Sequence, residues 1–200
     1  DIGTNGEVLL GSRAHLWACS APAGPALEGA QIRHGMRAAL GAIDRVRIED
    51  DVQVHTIGEA VPVGICGSGI IDALAGMLDA GIIDYTGLIQ VEDRDRLPHR
   101  LRERVVMRGE ERCFILIRQG DAGAPAEIVL TQEDIRQVQL AKGAIASGIT
   151  MLQRVSGIPN DAVTELMLAG GFGNYISIPS ALRIGLIPAL PPGRIRYVGN

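Results

Sequence analysis

The chain has 200 residues and a formal net charge of −4; 46% of its residues are hydrophobic and only 3% are aromatic. Negative charge and few aromatic side chains argue against a nucleic-acid surface, which needs basic residues and stacking rings. Three scattered cysteines exclude a disulfide framework, a zinc site and a complete iron–sulfur ligand set, and no apolar run could span a membrane, so we expect a cytoplasmic protein.

The first half of the chain alternates strand-like runs with glycine turns. GEVLLG and RAHLWACS predict two strands joined at Gly11-Ser12, and RVRIEDDVQVHTIG predicts a second hairpin that turns at residues 49–51. Between these hairpins, IRHGMRAALGAI at residues 32–43 predicts a helix. VPVGICGSGIIDALAGMLDAGIID then predicts a strand, a glycine turn and a helix that ends near Gly81.

The second half begins with a polar, loop-like stretch at residues 85–104. RVVMRGEERCFILIRQ predicts a strand pair, EIVL predicts another strand, and Thr131 with Asp134 forms a capping pattern for a helix to about Ser156. TELMLAGG, PSALRIGLIP and IRYVGN then predict a strand, a short helix and a final strand. This order predicts an α/β fold with a mixed sheet and helices on its faces.

The long helix carries a lysine on its apolar face. That face is formed by residues at helical spacing, namely Ile135, Val138, Ile145, Ile149 and Leu152. Lys142, the only lysine of the chain, falls in the same arc at about 100° per residue. A lysine there must pair, extend its ammonium group to solvent, or meet a ligand.

Three glycine-rich turns each follow a strand-like run: Gly3-Thr4-Asn5-Gly6, Gly67-Ser68-Gly69 and Gly170-Gly171-Phe172-Gly173. Such turns expose backbone N–H groups without side chains that would block a phosphate, and the second turn leads into a helix start, which favours anions. Each turn alone is also typical of an ordinary tight turn. Together they indicate a nucleotide site, although neither GxxxxGK[ST] nor GxGxxG is present.

Several strings, in chain order, carry a family resemblance: DIGTNGE, CSAPAGPALEGA, VGICGSGIIDALAGMLDAGIID, TQEDIRQVQLAKGAI, and LAGGFGNYI followed by PSALRIGLIP. They resemble the C-terminal part of the ATPase domain of reductive activators of corrinoid proteins. These iron–sulfur ATPases belong to the acetate and sugar kinase/heat-shock chaperone/actin superfamily. The resemblance implies that residues 1–200 form the C-terminal lobe of an actin-like ATPase domain, ribonuclease H-like in fold, with an appended subregion near residues 85–125.

The same resemblance implies a site for ATP and Mg²⁺. Asp1 is the expected catalytic residue and would sit near the magnesium ion, through a water molecule. The residues expected beside the phosphates are Gly3, Thr4, Asn5, Gly6, Gly67, Ser68 and Gly69. Two further acidic residues are less defined. Glu28 is open between a structural role and one facing the cleft. Asp72, expected in the first turn of its helix, would complement the helix dipole, with a magnesium role secondary.

On the nucleoside side, the resemblance implies two segments. Gly170, Gly171 and Phe172 match the adenosine-binding turn. The helix that carries Lys142 and Gly143 would lie against the nucleoside.

The activity implied by the resemblance is ATP-dependent return of cob(II)alamin to cob(I)alamin on a corrinoid protein or cobalamin-dependent methyltransferase. An iron–sulfur cluster in an N-terminal region outside these residues would supply the electron. The first phosphate hairpin would also precede Asp1 and a helix would follow Asn200, so we expect a chain truncated at both ends and incomplete for catalysis alone. A small-molecule kinase of the same superfamily, a non-catalytic nucleotide-binding partner module and a homodimeric assembly stay open as alternatives.

Overall fold

The computed structural model describes residues 2–170 and 175–199. Its strands are β1 (Gly6–Gly11), β2 (Leu16–Ala21), β3 (Ala42–Ile48), β4 (Val52–Thr56), β5 (Gly64–Ile65), β6 (Val105–Arg108), β7 (Glu111–Ile117), β8 (Ile128–Thr131), β9 (Leu166–Ala169) and β10 (Ile195–Gly199). Its α-helices are α1 (Gly67–Asp79), α2 (His99–Arg102), α3 (Gln132–Ser156) and α4 (Ile178–Arg183).

These strands form four small sheets in the described residues. β1 and β2 form an antiparallel hairpin, β9 and β10 pair in parallel, and the other two sheets have the orders β4-β3-β5 and β6-β7-β8. β3 runs antiparallel to β4 but parallel to β5. The chain is therefore mixed α/β, as predicted, with its strands divided among several sheets.

The long helix forms as its sequence predicts. Thr131 Oγ1 accepts from the backbone N–H of Asp134, and the Asp134 carboxylate accepts from the N–H of Thr131, so the capping box is complete. Asp134 also accepts from the backbone N–H of Arg33, 2.8 Å away, which ties the helix start to a distant loop. The predicted apolar face is buried at Ile135, Val138, Ile145 and Leu152 and half-buried at Ile149.

The helix predicted at residues 32–43 is wrong. A short 3-10 helix spans Pro25–Glu28, turns follow, and the last residues of the predicted helix belong to β3. The glycines explain the error: Gly29 has φ 83°, and a Cβ at Gly35 would lie 1.9 Å from the carbonyl oxygen of Gly29. This closely folded backbone pairs with Ile65 of β5 through a bridge at Gly35, and it therefore cannot form a helix.

The region near residues 85–125 holds α2, β6 and β7, and β7 continues the sheet to β8. Its buried side chains Leu101, Val105 and Phe114 belong to the same apolar core as α1 and α3. Arg104, whose side chain is 5% exposed, bonds Asp51 in the turn between β3 and β4. The region is thus held to the rest of the molecule by apolar packing and by one buried cation.

No helix in residues 2–170 and 175–199 combines the length and the hydropathy that a bilayer crossing requires.

Candidate functional site

The first glycine turn presents its centre to solvent. Gly3 N–H donates to Asn5 O at 3.1 Å, and Ile2 and Gly6 form an isolated bridge across the turn. Thr4 and Asn5 are exposed, whereas Ile2 and Gly6 are buried. The turn is therefore an exposed tip anchored on the core, a form that suits contact with a ligand.

A carboxylate lies against this turn. Thr4 Oγ1 donates to Glu28 Oε1 at 2.7 Å, and a Cβ at Gly3 would lie 3.6 Å from the same oxygen. The Thr4 carbonyl also accepts from the N–H of Gly24, at the start of the 3-10 helix that carries Glu28. A carboxylate here would repel a bare phosphate, so the arrangement suits a phosphate whose charge a cation shares.

Gly6 has a packing reason to be glycine. A Cβ at this position would lie 2.8 Å from Ile145 Cγ1, on the buried face of α3. The first turn can therefore rest directly on α3, and this contact explains the glycine without a ligand.

The second glycine turn starts α1. The helical ladder begins with Ile70 N–H donating to Cys66 O at 2.9 Å, so the N–H groups of Gly67, Ser68 and Gly69 precede it. No side chain caps this helix start, and all three residues are buried. Such N–H groups carry the positive end of the helix dipole and can bind an anion.

Gly69 brings α1 into direct contact with β3. A Cβ at Gly69 would lie 2.3 Å from the carbonyl oxygen of Ile43. Cys66 Sγ donates to the same oxygen at 3.4 Å, so the thiol has a structural partner. The position of the helix start is thus fixed by backbone contact with the sheet.

Lys142 has a protein partner. Its Nζ donates to the carbonyl oxygen of Ile184 at 2.6 Å, at the C-terminal end of α4. Of the three roles that the sequence allowed, pairing is the one seen here. The neighbouring Gly143 has open space beside it, since a Cβ at this position would meet nothing within 4 Å.

The third glycine turn is described only at its first residue. Gly170 follows β9 with φ 90°, and its N–H donates to Gly199 O at 3.1 Å. The expected adenosine-side residues Gly171 and Phe172, and the expected magnesium-side residue Asp1, lie outside the described residues. The positive φ at Gly170 explains a glycine there by backbone conformation alone.

The prediction that Asp72 lies in the first turn of its helix is wrong, because α1 already begins at Gly67. Its Oδ1 accepts from Ser180 Oγ at 2.6 Å and its Oδ2 from Val46 N–H at 3.4 Å. Burial raises the pKa of this carboxyl above its usual range, although the hydrogen bonds from Ser180 and Val46 oppose that shift. Asp72 lines a shallow cleft of about 400 Å³ together with Arg45 and His55.

The described residues contain no group of three or more metal-ligating side chains. Mg²⁺ beside a nucleotide is usually held by one or two carboxylates, phosphate oxygens and water, so it needs no cluster of three protein ligands.

The structure brings together some predicted residues and separates others. The first turn, Glu28 and the middle of α3 are in contact, and the second turn lies on β3. Lys142 instead meets α4, whose residue Arg183 bonds Asp79 in the last turn of α1. Sequence reasoning missed the Thr4–Glu28 bond, and no local pattern could signal a partner 24 residues away.

Comparison with known proteins gives consistent matches over the whole chain. The family model described as "C-terminal domain of RACo the ASKHA domain" matches residues 1–200. The chain is 39% identical over 202 residues to "Corrinoid activation enzyme RamQ" of Eubacterium limosum, with 100% of this chain and 34% of that protein covered. It is 28% identical over 223 residues to "[Co(II) methylated amine-specific corrinoid protein] reductase" of Methanosarcina barkeri, with 100% and 36% covered.

A solved structure is also similar. The "Reductive activator for corrinoid,iron-sulfur protein" superposes with a TM-score of 0.89 at 42% identity, and the match covers 100% of this chain and 31% of that one. The chain thus spans about one third of the length of these relatives.

Proposed function

The chain belongs to the family of RACo C-terminal ASKHA domains, and from that premise we propose that it is the nucleotide-binding lobe of an ATP-dependent reductive activator of a corrinoid protein. The observation that carries this proposal is the match over the whole chain, at 39% and 42% identity, to a corrinoid activation enzyme and a reductive activator. Its actin-like α/β fold agrees with a lobe that responds to nucleotide.

In this proposal the complete protein transfers one electron to cob(II)alamin on its partner and forms cob(I)alamin. An iron–sulfur cluster outside these residues supplies the electron. ATP binding and hydrolysis favour one conformation of the complex, and the difference in affinity between conformations supplies the bias for an uphill electron transfer. The partner is a corrinoid protein or a cobalamin-dependent methyltransferase, and the reaction takes place in the cytoplasm.

The proposed phosphate side of the nucleotide site consists of the first and second glycine turns, Gly3–Gly6 and Gly67–Gly69. It is supported by the exposed tip of the first turn and by the uncapped start of α1. Glu28 and Asp1 are proposed to hold the magnesium ion through water. Mg²⁺ would neutralise the phosphate oxygens, and the backbone N–H groups would orient them for attack by water.

The proposed nucleoside side consists of Gly143 and the third turn, Gly170, Gly171 and Phe172. Gly143 is supported by the open space beside it. Lys142, which the resemblance also places on the nucleoside side, instead donates its ammonium group to the carbonyl of Ile184.

Replacing Thr4 by valine is expected to weaken ATP binding about tenfold, because the change removes a hydroxyl that holds a charged partner. Thr4 is exposed, so the free energy of unfolding should change by less than about 0.5 kcal/mol. Isothermal titration with ATP and urea unfolding measure the two quantities. Ser12→Ala is the matched control, since Ser12 also uses its hydroxyl in an exposed turn. Unchanged affinity in Thr4→Val would contradict the phosphate-side assignment.

The function itself is tested with the complete protein, an oxidised corrinoid protein from the same organism, ATP, Mg²⁺ and a chemical reductant. We expect the absorbance spectrum to change from cob(II)alamin to cob(I)alamin only when ATP is present, and the corrinoid protein to stimulate phosphate release. Formation of a phosphorylated metabolite in place of cob(I)alamin would identify a kinase instead.

A further inference from the structure

The short helix α4 is held to α1 at two points. Ser180 Oγ donates to Asp72 Oδ1 at 2.6 Å, and Arg183 Nε donates to Asp79 Oδ1 at 2.5 Å. The two acceptors lie seven residues apart on α1, about two helical turns, so the contacts fix the direction of α4 as well as its position.

The C-terminal end of α4 is held by Lys142. The carbonyl of Ile184, the residue that closes the helix, accepts from Lys142 Nζ at 2.6 Å. The Nζ atom lies 4.0 Å from where a Cβ at Gly185 would be, so it is close to the backbone that ends the helix. A cation here complements the negative end of the helix dipole. Since α4 has only six residues, its internal hydrogen bonds alone would not keep it formed.

α4 follows the third glycine turn in the chain, and β10 contacts the described residues at the start of that turn and beyond it. Gly170 N–H, at the first residue of the turn, donates to Gly199 O, and Tyr197 Oη donates to Ile176 O beyond the turn. α4 therefore begins two residues after the Tyr197–Ile176 contact, and Lys142 restrains the far end of that helix.

We propose that Lys142 is a positioning residue for nucleotide binding, which acts by holding α4 in place and does not contact the nucleoside itself. This inference rests on the proposed nucleotide function. Lys142, Ser180 and Arg183 together hold α4 in place, and each affects ATP binding only through the position of this helix.

The test is a double-mutant cycle on ATP affinity in the complete protein, with Lys142→Met and Ser180→Ala. We expect Lys142→Met to weaken ATP binding about tenfold, and the double variant to bind at least about threefold more tightly than the product of the single effects predicts. Such coupling follows if both residues act through α4, because releasing one end of the helix already loses most of the restraint. Effects that multiply without coupling would overturn the inference, since a direct nucleoside contact acts independently of Ser180.

A second measurement does not depend on nucleotide. The N–H groups of Gly185 and Leu186 donate to Leu182 O and Ala181 O, so their hydrogen exchange reports whether the end of α4 is intact. We expect Lys142→Met to speed exchange at both amides at least about tenfold in nucleotide-free protein. The matched control is Arg136→Met, which removes an exposed cation from the same helix and should leave exchange and ATP affinity unchanged.

Unchanged exchange in Lys142→Met would overturn the positioning role. Absence of ATP binding by the wild-type protein would contradict the proposed function instead, and the exchange data would still decide whether Lys142 restrains α4.

Discussion

Replacing Gly69 by alanine is expected to lower the free energy of unfolding by at least about 2 kcal/mol and to weaken ATP binding. The added Cβ would lie 2.3 Å from the carbonyl oxygen of Ile43, a distance that real Cβ contacts do not reach. Because that oxygen belongs to the backbone, no side-chain rotation can relieve the clash. The strain costs about 3 kcal/mol or more, whereas alanine recovers only about 1 kcal/mol of helix propensity, so the strain decides the sign. Relief of the clash must move the start of α1 away from β3, and with it the proposed phosphate-binding N–H groups.

Urea unfolding and ATP titration measure these two effects. Gly143→Ala is the matched control for the unfolding measurement, because that helical glycine has nothing within 4 Å of an added Cβ. Its free energy of unfolding should rise by about 1 kcal/mol, from helix propensity alone. A Gly69→Ala protein as stable as wild type would refute the close packing of α1 on β3. Weaker ATP binding in the more stable Gly143→Ala would support a ligand beside Gly143.

Replacing Arg104 by methionine is expected to cost about 3 kcal/mol of stability. The guanidinium group donates to Asp51 Oδ1 at 2.7 Å and to the carbonyls of Ile115 and Leu116 at 3.1 and 3.0 Å. Methionine keeps most of the buried length, but it removes the donor to the Ile115 and Leu116 carbonyls and the buried cation paired with Asp51, and both losses are costly. The loss should loosen the contact between β7 and the turn that joins β3 to β4.

This cost should depend on pH. Burial alone would raise the pKa of Asp51, but the hydrogen bonds from Arg104 and from Val52 N–H hold it below its usual range. A carboxyl with a lowered pKa in the folded state stabilises the fold above its unfolded pKa of about 3.9 and loses that contribution as the pH falls. The difference between wild type and Arg104→Met should therefore shrink below about pH 4.

Urea unfolding between pH 7 and pH 3 measures this dependence. Arg102→Met is the control, since its partner Asp95 is 83% exposed at 3.4 Å and the pair should be worth less than about 0.5 kcal/mol. An Arg104→Met protein that loses no more stability than Arg102→Met would contradict the role of the buried cation.

Local patterns predicted the elements whose stability is local. The two predicted hairpins formed, although the first turns over residues 12–15 and not at Gly11-Ser12. Helix α3 formed between its capping box and its last turn near Ser156. The helix predicted at residues 32–43 failed because the backbone at Gly29 and Gly35 is shaped by contact with itself and with β5. Helical spacing of apolar residues carries no information about such contacts.

The sequence by itself determined the family, the first two glycine turns and the apolar face of α3, because these depend on residue type and short spacing. Only the tertiary structure decided what the polar side chains do. Thr4 meets Glu28, Lys142 meets Ile184 and Asp72 meets Ser180, at separations of 24, 42 and 108 residues. A charge or hydroxyl removed from water needs a partner, and even an exposed hydroxyl such as Thr4 bonds whichever atom the packing of the elements places near it. For Lys142 the sequence left three roles open, and the fold supplied the end of α4.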